Sequence, residues 1–314
     1  MATTQERSDQ TTEAPVESGP AHRSLRGDVW RQFRRHKGAM VGLVLLTLIT
    51  LASFVGPLIW DADPFLSDTA NSSQSPSWSH PMGTDNLGRD VFARVLFGGR
   101  VSLAVGITAM VVAVGLGTTV GILAGFFRKL DGPLMRITDM FLALPVLPLL
   151  LVIIMLFRER LQQAFGPGLG IFLLVVTIIG ATSWMTTSRV VRGQVLSVKE
   201  QEFVLAANSI GTRKRNIVLR HILPNVLSPV MVAAALGVAI AIITESALSF
   251  LGLGFPPNLP TWGRLLFDAK DFLQISPMRV VWPGLMISLT VISVNFIGDG
   301  LRDALDPQLR SKSS

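Results

Sequence analysis

Apolar positions gather into six runs separated by polar segments, near Gly38–Trp60, Val101–Phe127, Met140–Phe157, Ile171–Trp184, Val226–Phe255 and Val281–Ile297. The first carries no charged residue from end to end. It is long enough to cross a hydrocarbon core of ~30 Å, which needs about 20 apolar residues in a helix. In lipid every backbone N–H and C=O must be satisfied within the segment, so such runs are expected as helices. The fourth run is short and extends to Val191 on a longer reading; the fifth has room for an interfacial turn. The pattern predicts an all-α integral membrane protein with six transmembrane helices and both termini on one side.

The stretch before the first run has another character. Residues 1–22 are rich in Thr, Ser, Glu, Gln and Pro, show no apolar period, and read as a disordered tail. Residues 23–37 form a basic juxtamembrane segment, 38–310 the membrane domain, and 311–314 a short polar tail. A secretory signal is not expected, because the polar leader is too long and the apolar run exceeds the usual ~7–15 residues.

Composition agrees with the pattern. Hydrophobic residues make up 49% of the 314 and charged residues 16%, against about 25% charged in a soluble domain. There is no cysteine, hence no disulfide framework and no thiolate metal site. The net charge of +7 follows from topology. Twenty of the 28 Lys and Arg fall before Gly38, at Arg128, Lys129 and Arg136, between Arg189 and Arg220, and after Gly300. With those segments in the cytoplasm, the positive-inside rule is met and both termini are cytoplasmic. Basic clusters beside spans orient the chain and contact anionic membrane lipids, so nucleic acid is not needed to explain them.

One loop exceeds what a bundle requires. Between the fourth and fifth runs lie about forty mostly non-membrane residues, Thr186 to Pro224. Phe203, Ala206, Ala207 and Ile210 recur at helical spacing. Gly211 is placed to end that helix in a left-handed conformation. A second short helix is expected from Arg213 to Ile222, stopped by Pro224 before the next span. A small apolar face ringed by Lys199, Arg213, Lys214 and Arg215 suits docking to another protein.

Several further positions carry two readings. From His80 to Leu103, Thr84 or Asp85 is expected to cap a helix whose face carries Leu87, Val91 and Val95, with Asp90 and Arg94 as an i,i+4 pair. That reads as an amphipathic helix at the outer interface. Glu245, inside or at the edge of the fifth span, is either a functional intramembrane carboxylate or a hydrogen-bonded brace for the turn after Gly252. Gly117, Gly121 and Gly125 give two successive G-x-x-x-G spacings that let helices approach closely. Pro145 and Pro148 are placed to kink the third span. Catalytic and cofactor chemistry is not expected. No G-x-x-x-x-G-K-[ST], H-E-x-x-H or G-x-S-x-G occurs, and His22, His36, His80 and His221 show no metal-ligand spacing. Energy for transport then has to come from another polypeptide.

The loop resembles the segment that marks permease subunits of bacterial ABC importers: Glu-Ala-Ala, three residues, Gly, nine residues, then Ile-x-Leu-Pro. Ala206, Ala207, Gly211, Leu223 and Pro224 fall in register, while Leu205 stands where that family has Glu and His221 where it has Ile. Blocks at His80–Leu103, Asp131–Met140, Glu245–Gly263 and Gly298–Arg310 are similar to the second permease of the dipeptide, oligopeptide, glutathione and nickel importers. The resemblance implies the importer-permease fold and a place in the bacterial cytoplasmic membrane. The partners it implies are a second permease in a heterodimer, two ATP-hydrolysing subunits and an extracytoplasmic substrate-binding protein. It also implies that Phe203, Leu205, Ala206, Ala207, Gly211, Leu223 and Pro224 couple the chain to the ATPases, and that the His80 block meets the binding protein. Di- or oligopeptides are the expected solute. A stand-alone secondary transporter, or a membrane-embedded enzyme, is the alternative from another class.

Overall fold

The computed structural model describes residues 25–305, so the tails read at 1–22 and 311–314 lie outside the described residues. Among the described residues the secondary structure is helical apart from one isolated bridge, Thr84 to Asp90. Helix α1, Leu25–Arg35, occupies the basic segment. Its Phe33 packs with Ala304, Val29 and Leu301, while Trp30 is exposed and stacks on Phe33. His36 then caps α2, Lys37–Ile59, by accepting a hydrogen bond from Ala39 N–H through Nδ1 at 2.9 Å.

The second crossing is helix α3, Val91–Phe126, 36 residues long. At 1.5 Å per residue it extends about 54 Å, well beyond a bilayer core. This corrects the expected interfacial helix. Thr84 and Asp85 lie in a buried loop, Leu87 falls before α3 begins, and the cap is Asp90, whose Oδ1 accepts from Ala93 N–H at 2.6 Å. Val91, Val95 and Leu96 are buried in the first turns of α3. Nor do Asp90 and Arg94 pair: Asp90 takes His80 (2.7 Å) and Arg94 takes Asp85 (2.8 Å).

After α3 come α4, Arg128–Leu142, and α5, Val146–Phe165, which meet at 84°. Pro145 caps α5 in an extended conformation. Its ring forbids continuation of the preceding helix, so the third span is broken rather than bent. α4 begins beside the end of helix α6, Pro167–Lys199, where Asp131 meets Arg192. α5 ends at the opposite face, where Arg158 Nη2 donates to the Gly254 carbonyl at 3.1 Å. The bent pair therefore returns the chain across the bundle. Five helices are long and apolar enough to cross a membrane, and the bent pair, counted as one span, brings the number to six.

α6 is 33 residues long, much longer than its apolar run, and its last turns carry Arg189, Arg192 and Lys199 while still burying Val191 and Val195. It packs along α3 through the glycine stripe. A Cβ on Gly117 would stand 2.6 Å from Thr187 Cβ, on Gly121 2.6 Å from Val191 Cβ, and on Gly125 2.7 Å from Val195 Cβ. The stripe is thus a seam within the chain. Beyond α6 lie α7, Glu202–Ser209, then α8, Lys214–Ile217. A π-helical turn, Val218–Ile222, leads from α8 into α9, Leu223–Phe250. Pro224 does not stop the helix as expected. It sits in the first turn of α9, and the wider turn before it, closed by Leu223 N–H to the Val218 carbonyl, takes up the ring and the missing donor. After a turn at Gly252 (φ 81°) come α10, Trp262–Ala269, and α11, Met278–Leu305.

Candidate functional site

At the end of the bundle that carries α1 and the end of α11, the chain between α6 and α9 folds back as a helical hairpin. α7 buries Val204 and Ala207 against Ile217, Ile222, Val226, Val191 and Val195. Phe203, Leu205, Ala206 and Ile210 remain exposed, so the apolar stripe divides between an inner and an outer face. Phe203 lies 6.2 Å from the His221 ring, centroid to centroid. Leu223 and Pro224 start α9, half-buried and exposed by turns, and join the hairpin to the span.

The end of α7 has the geometry that glycine permits. Gly211 takes φ 78°. Its N–H donates to the Asn208 carbonyl at 3.0 Å, and Thr212 N–H donates to the Ala207 carbonyl at 3.1 Å. These bonds satisfy carbonyls left open by the helix end. Arg213, Lys214 and Arg215 follow, all exposed. Between the hairpin and the α3–α4 junction lies an open groove of about 650 Å³, lined by Leu205, Val204 and Phe127 with Arg128, Lys129, Lys199 and Lys214. Leu205, where the resembled family has Glu, is 48% exposed on this groove.

Two ion pairs, missed at the sequence level, tie the hairpin's base to the broken span. Arg192 of α6 donates from Nε and Nη2 to Asp131 Oδ1 and Oδ2 of α4, at 2.5 and 2.7 Å. Arg189 meets Asp139 at 2.5 Å. Both acids belong to the Asp131–Met140 block, and their only sequence signal was charge beside an apolar run.

Glu245 lies near the far end of α9 and is fully buried. Ser249 Oγ donates to its Oε1 at 2.8 Å, and Ser102 Oγ of α3 donates to its Oε2 at 3.3 Å. Ser102 Oγ in turn accepts from Trp262 N–H at 3.2 Å, and Trp262 Nε1 donates to the Val95 carbonyl at 3.0 Å. The carboxylate thus joins α3, α9 and α10, the geometry of a brace. It stands apart from the hairpin, and nothing brings the two together.

Two family models cover most of the sequence. One, described as binding-protein-dependent transport system inner membrane component, matches residues 117–311. The other, the N-terminal TM domain of oligopeptide transport permease C, matches residues 24–76. The chain is 40% identical over 285 residues to the dipeptide transport system permease protein of Alkalihalophilus pseudofirmus, with 90% of each chain covered. It is 39% identical to the oligopeptide transport system permease protein of Bacillus subtilis (91% of each chain). With the glutathione transport system permease protein of Pectobacterium atrosepticum the identity is 38%, covering 90% of this chain and 91% of the other. A solved structure of the MetNI methionine ABC transporter in inward facing conformations superposes with a TM-score of 0.55 at 16% identity, covering 68% of this chain and 96% of that one. That likeness is one of fold.

Proposed function

The chain belongs to the binding-protein-dependent transport system inner membrane components, the permease subunits of ABC importers, and from that premise we propose that it moves di- or oligopeptides inward, driven by ATPase subunits docked on the hairpin. As a multi-span permease of this class it is an inner-membrane transport component and not an enzyme. That membership sets aside the stand-alone transporter and the membrane-embedded enzyme.

The hairpin is the observation that carries the proposal. Its inner face, Val204 and Ala207, is fixed to α6 and α9. Its outer face, Phe203, Leu205, Ala206 and Ile210, stands free with a fringe of cations. Such a surface transmits force: what docks on the outer face moves the inner face with it. The route onward runs from α7 to the end of α6, through Arg192–Asp131 and Arg189–Asp139 to α4, and so to the break at Pro145. In this reading Phe203, Leu205, Ala206, Ala207 and Gly211 form the coupling surface, and Leu223 and Pro224 carry its motion into α9. Two ATPases, a second permease and an extracytoplasmic binding protein complete the machine, with both termini in the cytoplasm. The peptide solute rests on the names of the relatives. Glu245 serves as a brace at the far end.

The test is assembly. The purified chain alone is expected to hydrolyse no ATP, and to co-purify with a second permease and ATPase subunits when the whole system is expressed. Peptide uptake by vesicles holding only this chain sinks the proposal.

A further inference from the structure

At the end of the bundle opposite the hairpin, four arginines and two aspartates cluster beside a small cavity lined by Arg94, Arg279, Asp85 and Asp268. Asp85 Oδ2 accepts from Arg89 Nε at 2.7 Å and from Arg94 Nη1 at 2.8 Å. Asp268 Oδ2 accepts from Arg94 Nη2 at 3.3 Å, and its Oδ1 from Arg264 Nη2 at 2.9 Å. The Pro257 carbonyl takes further bonds from Arg89 and Arg94. Two carboxylates are thus shared by three guanidinium groups. Arg279 makes no ion pair among the described residues; its guanidinium lies over the Phe272 ring at 5.5 Å. Asp90, the nearest remaining acid in the sequence, is engaged by His80 Nδ1 and the Ala93 N–H. Arg94 is 1% exposed and Arg279 8%, so the surplus of positive charge is withdrawn from water. Charges so buried are ordinarily paired.

The cavity lies where the missing partner belongs. It holds about 20 Å³, and Arg94, Arg279, Asn86, Asp85 and Asp268 supply its polar lining, with Val91, Leu265 and Pro283 among the apolar walls. Roughly 10–15 Å³ on this measure admits one water-sized occupant, so the space fits a single small ion. Arg94 Nε is buried with no hydrogen-bond partner. Both lining carboxylates are already engaged: Asp85 accepts from Arg89 and Arg94 and from the Leu87 and Arg89 N–H groups, and Asp268 from Arg94 and Arg264. The lining cationic donors without a carboxylate of their own are Arg94 Nε and the Arg279 guanidinium. We propose that this cavity binds a single monatomic anion of chloride's size, which neutralises the surplus arginine charge and locks the loop before α3 to α10 and the start of α11.

A ligand bound only by the folded state raises stability by mass action. Thermal melting of the assembled transporter in detergent is to be followed as sodium gluconate is exchanged for sodium chloride at constant ionic strength and pH. The expected result is a saturable rise in melting temperature with chloride, matched by bromide and absent from Arg279→Gln. Bromide should also give an anomalous scattering peak between Arg94 and Arg279 in crystals of the wild-type complex. Equal melting in both salts, or a halide rise that survives Arg279→Gln, overturns the site, as does a cavity holding water only. If Arg279→Gln fails to assemble, the bromide peak in the wild type decides alone.

Discussion

Gly211 sits at φ 78°, and a Cβ placed on it would meet nothing within 4 Å. The requirement for glycine there is one of backbone conformation alone. Left-handed backbone costs about 1–2 kcal/mol for a residue with a Cβ, and a β-branched side chain is a genuine outlier in that region. Gly211→Ala is therefore expected to keep most ATPase association and uptake. Gly211→Val should lose both at normal membrane levels, since the spans are untouched. Leu205→Glu places a carboxylate on a groove lined by Arg128, Lys129, Lys199 and Lys214 and should be tolerated. Co-purified ATPase and vesicle uptake, measured side by side, check all three. Full retention in Gly211→Val reduces the hairpin to an ordinary connection.

For helices the decisive contact is the α3–α6 seam. A Cβ on Gly121 would press within 2.6 Å of Val191 Cβ and 2.7 Å of the Ser188 carbonyl. Backbone lies on one side of that contact and a stiff β-branched residue on the other, so little can yield. Overpacking of this kind costs about 1–3 kcal/mol or more. Gly121→Leu should therefore lower the melting temperature and protease resistance of the chain expressed without its partners. An unchanged chain that no longer pairs with the second permease would move the stripe to the subunit interface. The two flanking glycines, four residues either way, make the same seam and should behave alike.

Across the whole chain, the tracing of helices leaves the hairpin, α1 and the end of α11 on one face, and the loop before α3 with the α9–α10 turn on the other. Among the described residues sixteen of 24 Lys and Arg lie on the hairpin side, which the positive-inside rule assigns to the cytoplasm. The absence of cysteine lets single labels be introduced cleanly. A Cys at Ser75, exposed in the loop before α3, should react with an impermeant thiol reagent in sealed cells. One at Ser197, exposed near the end of α6, should react only after permeabilisation. Reaction of Ser197→Cys in intact cells inverts the proposed orientation.

What the sequence determined by itself was set by local rules. The spans followed from apolar length, because the bilayer imposes its thickness on any helix that crosses it. The turn at Gly211 followed from backbone freedom, and the family resemblance from motif residues in register. Where folding joins distant segments, local rules had no purchase. Asp90 was paired on paper with Arg94, its i+4 neighbour, yet Arg94 turned to Asp85 and, 174 residues away, to Asp268. The hydrogen bond that Glu245 accepts from Ser102, 143 residues earlier, has no signal in the local sequence. The Pro224 stop failed because a π turn in the preceding segment absorbs what proline takes away. Buried polar groups take the partner that packing brings nearest, and only the tertiary structure decides which one that is.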